Sequence, residues 1–87
     1  MSRRRSQLEI SLCVLSTVRD GVHKPTLIMY NSHMSWAPLQ KKLAYLVDQG
    51  LLNVETVNNK RRYTILDKGI KVLEFFKQAE VPLSFYY

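Results

Sequence analysis

Few residues of this chain could do chemistry by type. Cys13, His23 and His33 are its whole supply of thiol and imidazole, and a structural zinc site needs several such ligands at close spacing. Scattered as they are, they predict no metal. Ser16, Asp20 and His23 have the residue types of a hydrolytic triad, but no nucleophile elbow or Gly-rich oxyanion loop accompanies them. A P-loop and a dinucleotide fingerprint are also missing from the sequence. No enzyme and no cofactor are therefore expected. What remains is ionic. In VNNKRRY, residues 57–63, Lys60, Arg61 and Arg62 directly follow Asn58-Asn59, and cations on a tight turn are suited to phosphate oxygens. A second group, Gln40, Lys41, Lys42 and Tyr45 with Trp36 nearby, combines amide, ammonium and aromatic groups on one stretch, the mixture that nucleic-acid readers use.

These groups must be placed by their elements. Ser6 and Glu9 have capping-box spacing, which predicts a first helix over about 6–19. Its apolar residues Leu8, Ile10, Leu12, Cys13, Val14, Leu15 and Val18 cover more than one stripe. Pro25 opens a short second helix through Tyr30, and Asn31-Ser32-His33-Met34 reads as a turn. Ser35 is set to cap a third helix that runs to Gly50, with Pro38 still in the first turn where no intrahelical donor is lost. Leu39, Leu43, Leu46 and Val47 define its buried face, leaving the Gln40–Tyr45 group on or near the opposite surface.

LLNVETV and RRYTIL follow as strands. If Asn58-Asn59 is a two-residue type I′ loop, the register places Val57 opposite Lys60, Glu55 opposite Arg62, Val54 opposite Tyr63 and Leu52 opposite Ile65. Leu52, Val54, Tyr63 and Ile65 then share the core face, and Glu55 and Arg62 make a cross-strand charge pair on the other. Asp67 caps a last helix over about 68–79, and an apolar tail, VPLSFYY, closes the chain.

The bulk properties agree with a polyanion partner. The 87 residues carry 13 Lys plus Arg against 7 Asp plus Glu, a net charge of +6, and such a field attracts nucleic acid or an anionic membrane surface. No apolar run reaches the length of a membrane span, and MSRRRSQLEISL lacks a signal-peptide h-region. A cytoplasmic, nucleoid-associated protein is expected. One domain spans 1–87, divided into a basic arm at 1–5, a core at 6–79 and the tail at 80–87.

Three helices, a hairpin with a charged tip and a fourth helix form the α+β winged helix-turn-helix arrangement, in which the third helix enters the major groove and the wing touches the backbone beside it. The segments LEISLCVL, KPTLIMY, HMSWAPLQKKLAYLVDQGLL and RRYTILDKGIKVLEFF resemble the small archaeal winged helix proteins of the ArnR-like class, which include chromatin-associated dimers and transcription regulators. The resemblance covers roughly residues 8–76. It implies double-stranded DNA binding by a homodimer. Two departures stand out: Pro38 lies in the first turn of the recognition helix, and the residues after the fourth helix hold no counterpart of the long coiled coil through which some relatives dimerise.

The expected DNA contacts are Lys24, Thr26, Ser35, Trp36, Gln40, Lys41, Lys42, Tyr45, Asn59, Lys60, Arg61 and Arg62. Trp36 has two readings, contact to base or sugar and a staple onto the core. The Arg3-Arg4-Arg5 run has two as well, a solvated arm and an arm in a minor groove. The expected dimer interface comprises Leu12, Val72, Phe75, Phe76, Val81, Leu83, Phe85, Tyr86 and Tyr87, because helices one and four have more apolar surface than one small core can cover. The tail could instead lie along its own helix. An alternative function is a winged helix that binds protein or RNA without duplex readout.

Overall fold

Ser6 and Glu9 close the capping box: Glu9 N–H donates to Ser6 Oγ at 3.1 Å, and Ser6 N–H to Glu9 Oε1 at 2.9 Å. The helix that starts there, α1, spans Gln7–Arg19. A computed structural model describes residues 6–78 of the chain; the Arg3–Arg5 run and Val81, Leu83, Phe85, Tyr86 and Tyr87 of the tail lie outside them. The element order is α1, α2 (Pro25–Ser32), α3 (Trp36–Asp48), β1 (Leu52–Val57), β2 (Lys60–Ile65) and α4 (Asp67–Gln78).

α2 is longer than its sequence predicts. Asn31 and Ser32 continue the helix rather than turning, and the buried Ser32 hydroxyl donates back to Ile28 O at 2.6 Å. The turn follows one residue later, where His33 adopts the left-handed conformation, φ 56°. Ser35 holds the N-cap position of α3 by backbone geometry alone, since its side chain makes no capping bond. Pro38 is the third helical residue, so its missing N–H is one of those with no intrahelical acceptor. Gly50 takes φ 77° after the Gln49 C-cap, a conformation that glycine enters without strain. Asp67 is the first residue of α4 rather than a residue before it.

The core lies where α1, α3 and the root of the hairpin converge. Val14, Leu15, Val18, Ile28, Leu39, Leu43, Leu46, Leu52, Tyr63 and Leu73 are its buried members. The hairpin is antiparallel with Leu52, Val54, Glu55 and Val57 opposite Ile65, Tyr63, Arg62 and Lys60, and Asn58 and Asn59 take φ 52° and 63°, as a type I′ turn requires. Its core face is covered only at the root. Leu52 and Tyr63 are buried, whereas Val54 is 37% exposed, because the strands run past the edge of the helical layer.

Three bonds clamp this root. Tyr63 N–H donates to His23 O at 3.0 Å, and His23 Nδ1 stands 2.7 Å from Tyr63 O; a carbonyl can only accept, so Nδ1 carries the hydrogen. Leu66 N–H donates to Leu51 O at 3.1 Å. At the other end of α3, Lys68 Nζ donates to Gln49 O at 2.9 Å, placing a cation at a helix C-terminus, where the dipole favours it.

Candidate nucleic-acid interface

α3 buries Leu39, Leu43 and Leu46 completely. The side diametrically opposite therefore presents Ala37, Lys41, Ala44 and Asp48, all exposed. Gln40 and Trp36 flank this line on one side, Tyr45 and Lys42 on the other. Tyr45 is 53% and Trp36 42% exposed. The face is narrow at its centre, since two of its four residues are alanines, and acidic only at its C-terminal end, where Asp48 stands.

Lys42 departs from its expected place. It is half-buried, its ammonium donates to Gln7 Oε1 on α1 at 2.7 Å, and it lies 5.4 Å from the centroid of the Tyr45 ring. Lys41, one residue earlier, is exposed on the outward line.

The wing supplies the second cationic group. Asn59, Lys60, Arg61 and Arg62 are all exposed. Glu55 and Arg62 face each other in register but form no ion pair, so the expected cross-strand pair is absent and Arg62 joins Lys60 and Arg61 as a cation open to other partners. The strands project beyond the core here, where neither side chain is pressed against the other. Lys24 and Thr26 stand at the start of α2, both exposed, with Lys24 as its N-cap. Because His23 is bonded to β2, Lys24 and the wing share one support. Ser35 is exposed at the start of α3.

The other groups with chemical potential are dispersed. Ser16 Oγ accepts from Arg19 Nη2 at 3.3 Å and His23 is turned to Tyr63, so Ser16, Asp20 and His23 assemble no triad. Among the described residues no group of three or more His, Cys, Asp or Glu side chains is placed to share a metal ion, and no helix is long and apolar enough to cross a membrane.

The residues assigned to a dimer divide. Leu12 and Val72 pack against the chain's own core, so the spare apolar surface of α1 and α4 is narrower than the sequence suggests. Phe75 is 65% exposed and meets Phe76 edge-on, with centroids 5.1 Å apart. Ala37 and Ala44, absent from the expected contacts, are placed on the outward line by their helical spacing opposite the leucines. No local pattern in the sequence marks Gln7, whose contact with Lys42 spans 35 residues.

A family model described as winged helix-turn-helix matches residues 4–81. An uncharacterized protein of Methanocaldococcus jannaschii is 26% identical over 69 residues, covering 79% of this chain and 67% of its own length. Among solved structures, the DNA-binding protein Sso10a-2 of Sulfolobus solfataricus superposes with a TM-score of 0.78 at 29% identity, over 94% of this chain and 90% of that one. BpsR of Bordetella bronchiseptica, whose DNA binding is regulated by 6-hydroxynicotinic acid, gives 0.81 at 17% identity, over 88% of this chain and 58% of that one. ZitR of Lactococcus lactis, a zinc-responsive MarR family member, gives 0.73 at 20%, over 99% and 61%. At these identities the two bacterial proteins share the fold alone.

Proposed function

The chain belongs to the winged helix-turn-helix family, and from that membership we propose that it binds double-stranded DNA as a homodimeric transcription regulator or architectural protein. α3 reads the major groove with Gln40 and Lys41 on its outward side. Ala37 and Ala44 let the helix backbone approach the bases, and an alanine methyl can meet a thymine methyl. Lys60, Arg61 and Arg62 bind phosphates beside that groove. Such contacts fix where the helix lies and carry no sequence information themselves.

The observation that carries this reading is the pairing of an outward helix face that presents Gln40 and Lys41 with a type I′ turn flanked by cations that no ion pair occupies. That the similar Sso10a-2 is a DNA-binding protein supports it. The Phe75–Phe76 pair, with Phe75 65% exposed, supports the homodimer as apolar surface on α4 that a second chain would cover, and two-fold symmetry would present two α3 helices to successive major grooves.

The test is a salt-dependent mobility shift on random-sequence duplex, followed by selection from a duplex library. Binding whose affinity falls steeply with salt supports the proposal, and its absence at micromolar protein refutes it. An enriched motif identifies a regulator; binding with no motif identifies a DNA coater.

A further inference from the structure

Lys42 is half-buried, and its ammonium donates to Gln7 Oε1 at 2.7 Å while lying 5.4 Å from the centroid of the Tyr45 ring. Among the described residues no carboxylate stands within ion-pairing distance of it. A half-buried cation is thus held by a neutral amide, with two of its three N–H donors left over. The amide has a consequence. A glutamate at position 7 would neutralise the charge it held, whereas glutamine fixes the ammonium and leaves that charge for an outside anion. Restraint matters too, because a solvated lysine loses rotamer freedom when a ligand immobilises it. Lys60 and Arg61, exposed on the wing, bear that loss in full. Lys42 is already part-way held.

Around the ammonium runs an open groove lined by Gln7, Leu8, Ser11, Lys42 and Tyr45. It offers an amide, two hydroxyls and a cation, donors suited to phosphate oxygens, and no acid. Leu8 is 46% exposed, and beside Tyr45 it adds apolar surface against which a sugar can lie. The groove opens on the flank of α3. A helix with its side chains is about 10–12 Å across, close to the roughly 12 Å width of the major groove. Residues beside its outward line therefore meet the groove walls, which are sugar and phosphate. Small molecules bind where most of their surface is enclosed; an open groove suits a strand that passes over it.

We propose that Lys42, Gln7, Ser11 and Tyr45 make up a preformed phosphate site for the strand that borders α3, with Gln7 as the positioning residue for Lys42. The inference rests on the reading of α3 as the duplex-facing helix. It assigns Lys42 to the backbone rather than the bases, and it brings two residues of α1, Gln7 and Ser11, into the interface.

The experiment measures duplex affinity across a salt series for wild type, Lys42→Ala, Lys42→Arg, Gln7→Ala and Gln7→Glu, with Lys60→Ala/Arg61→Ala as a wing control and circular dichroism to verify folding. Lys42→Ala should lower the slope of log affinity against log salt by about 0.9 for each bound chain, so that the change in Kd between about 50 and 200 mM salt shrinks about 3.5-fold. Lys42→Arg should restore the slope. Gln7→Ala keeps the cation and hence the slope, but should weaken binding about 2- to 12-fold at every salt, the range for immobilising one rotamer-rich side chain. Gln7→Glu should lower the slope as Lys42→Ala does, with Lys42 intact. In nitrogen NMR of the lysine ammonium groups, the Lys42 signal should shift with duplex and stay in place with inorganic phosphate at equal phosphate concentration. A Lys42→Ala chain that keeps the wild-type slope, while the wing control loses part of it, overturns the site and leaves the function standing. Unchanged affinity in Gln7→Ala overturns the positioning role. A Lys42 signal that moves alike with inorganic phosphate and with duplex marks a general anion site and overturns the assignment to the duplex. Absence of salt-dependent binding by wild type refutes the function itself, and the inference with it.

Discussion

Gly69 is where α4 meets the root of the wing, and replacing it with alanine sets two known effects against each other. Alanine is favoured over glycine inside a helix by about 0.8–1.0 kcal/mol. The added methyl, however, would collide with Leu51 O and come within 2.8 Å of Ile65 Cγ1. The isoleucine can turn aside. The carbonyl is held by the Leu66 N–H at 3.1 Å, so the hairpin root or α4 must shift. Overpacking costs about 1–3 kcal/mol, and a backbone obstacle belongs in the upper half of that range. The net effect is a destabilisation of about 1–2 kcal/mol, or a Tm lowered by roughly 5–15 °C for a domain of this size. Urea unfolding followed by circular dichroism measures it, with the midpoint falling at unchanged m. Adding Ile65→Val should recover less than half of the loss. A Gly69→Ala chain as stable as wild type, or one rescued fully by Ile65→Val, would refute the backbone clash.

At the wing tip, Lys60→Ala with Arg61→Ala should lower the salt slope by about 1.8, shrinking the change in Kd between about 50 and 200 mM salt roughly 12-fold; sequence preference in a library selection should stay as it was. Gln40→Ala and Lys41→Ala should each relax preference at one or two base pairs by about 1–3 kcal/mol, and an unaltered enriched motif in both would remove α3 as the reader. Phe75→Glu should convert the homodimer to monomer in sedimentation equilibrium without changing the helical spectrum. Wild-type protein that sediments as a monomer at high micromolar concentration would dispose of the dimer.

What the sequence disclosed and what it hid divide along contact distance. The hairpin register was legible because strand side chains alternate strictly and Asn58-Asn59 demands positive φ at both positions; one slipped residue would have turned Leu52 and Tyr63 to solvent. The leucine spacing of α3 showed which of its faces is free. Ser32 misled, because the short polar run Asn-Ser-His has turn composition, while the helix absorbs the serine by returning its hydroxyl to Ile28 O. The Lys42–Gln7 and His23–Tyr63 bonds join residues far apart in the chain, and no local pattern encodes them. The Glu55–Arg62 pair failed for a related reason: register brings two Cα atoms opposite, but long side chains in water are under no compulsion to meet.

The bonds from His23 to β2 give the wing an uneven mechanical character. A two-stranded ribbon alone is marginal in water, yet here one end is pinned to the α1–α2 loop through Tyr63 and buried at Leu52, while every residue from Asn53 to Arg62 is exposed. Amide exchange should accordingly be slowest at Tyr63 and approach that of open chain near Asn59, a gradient within one hairpin rather than a single opening event. A beam clamped at its base and loose at its end keeps its bearing while its last turn follows the local width of whatever groove lies beneath. Duplexes that differ in groove width could then be held by the same cations without any movement of the helical core.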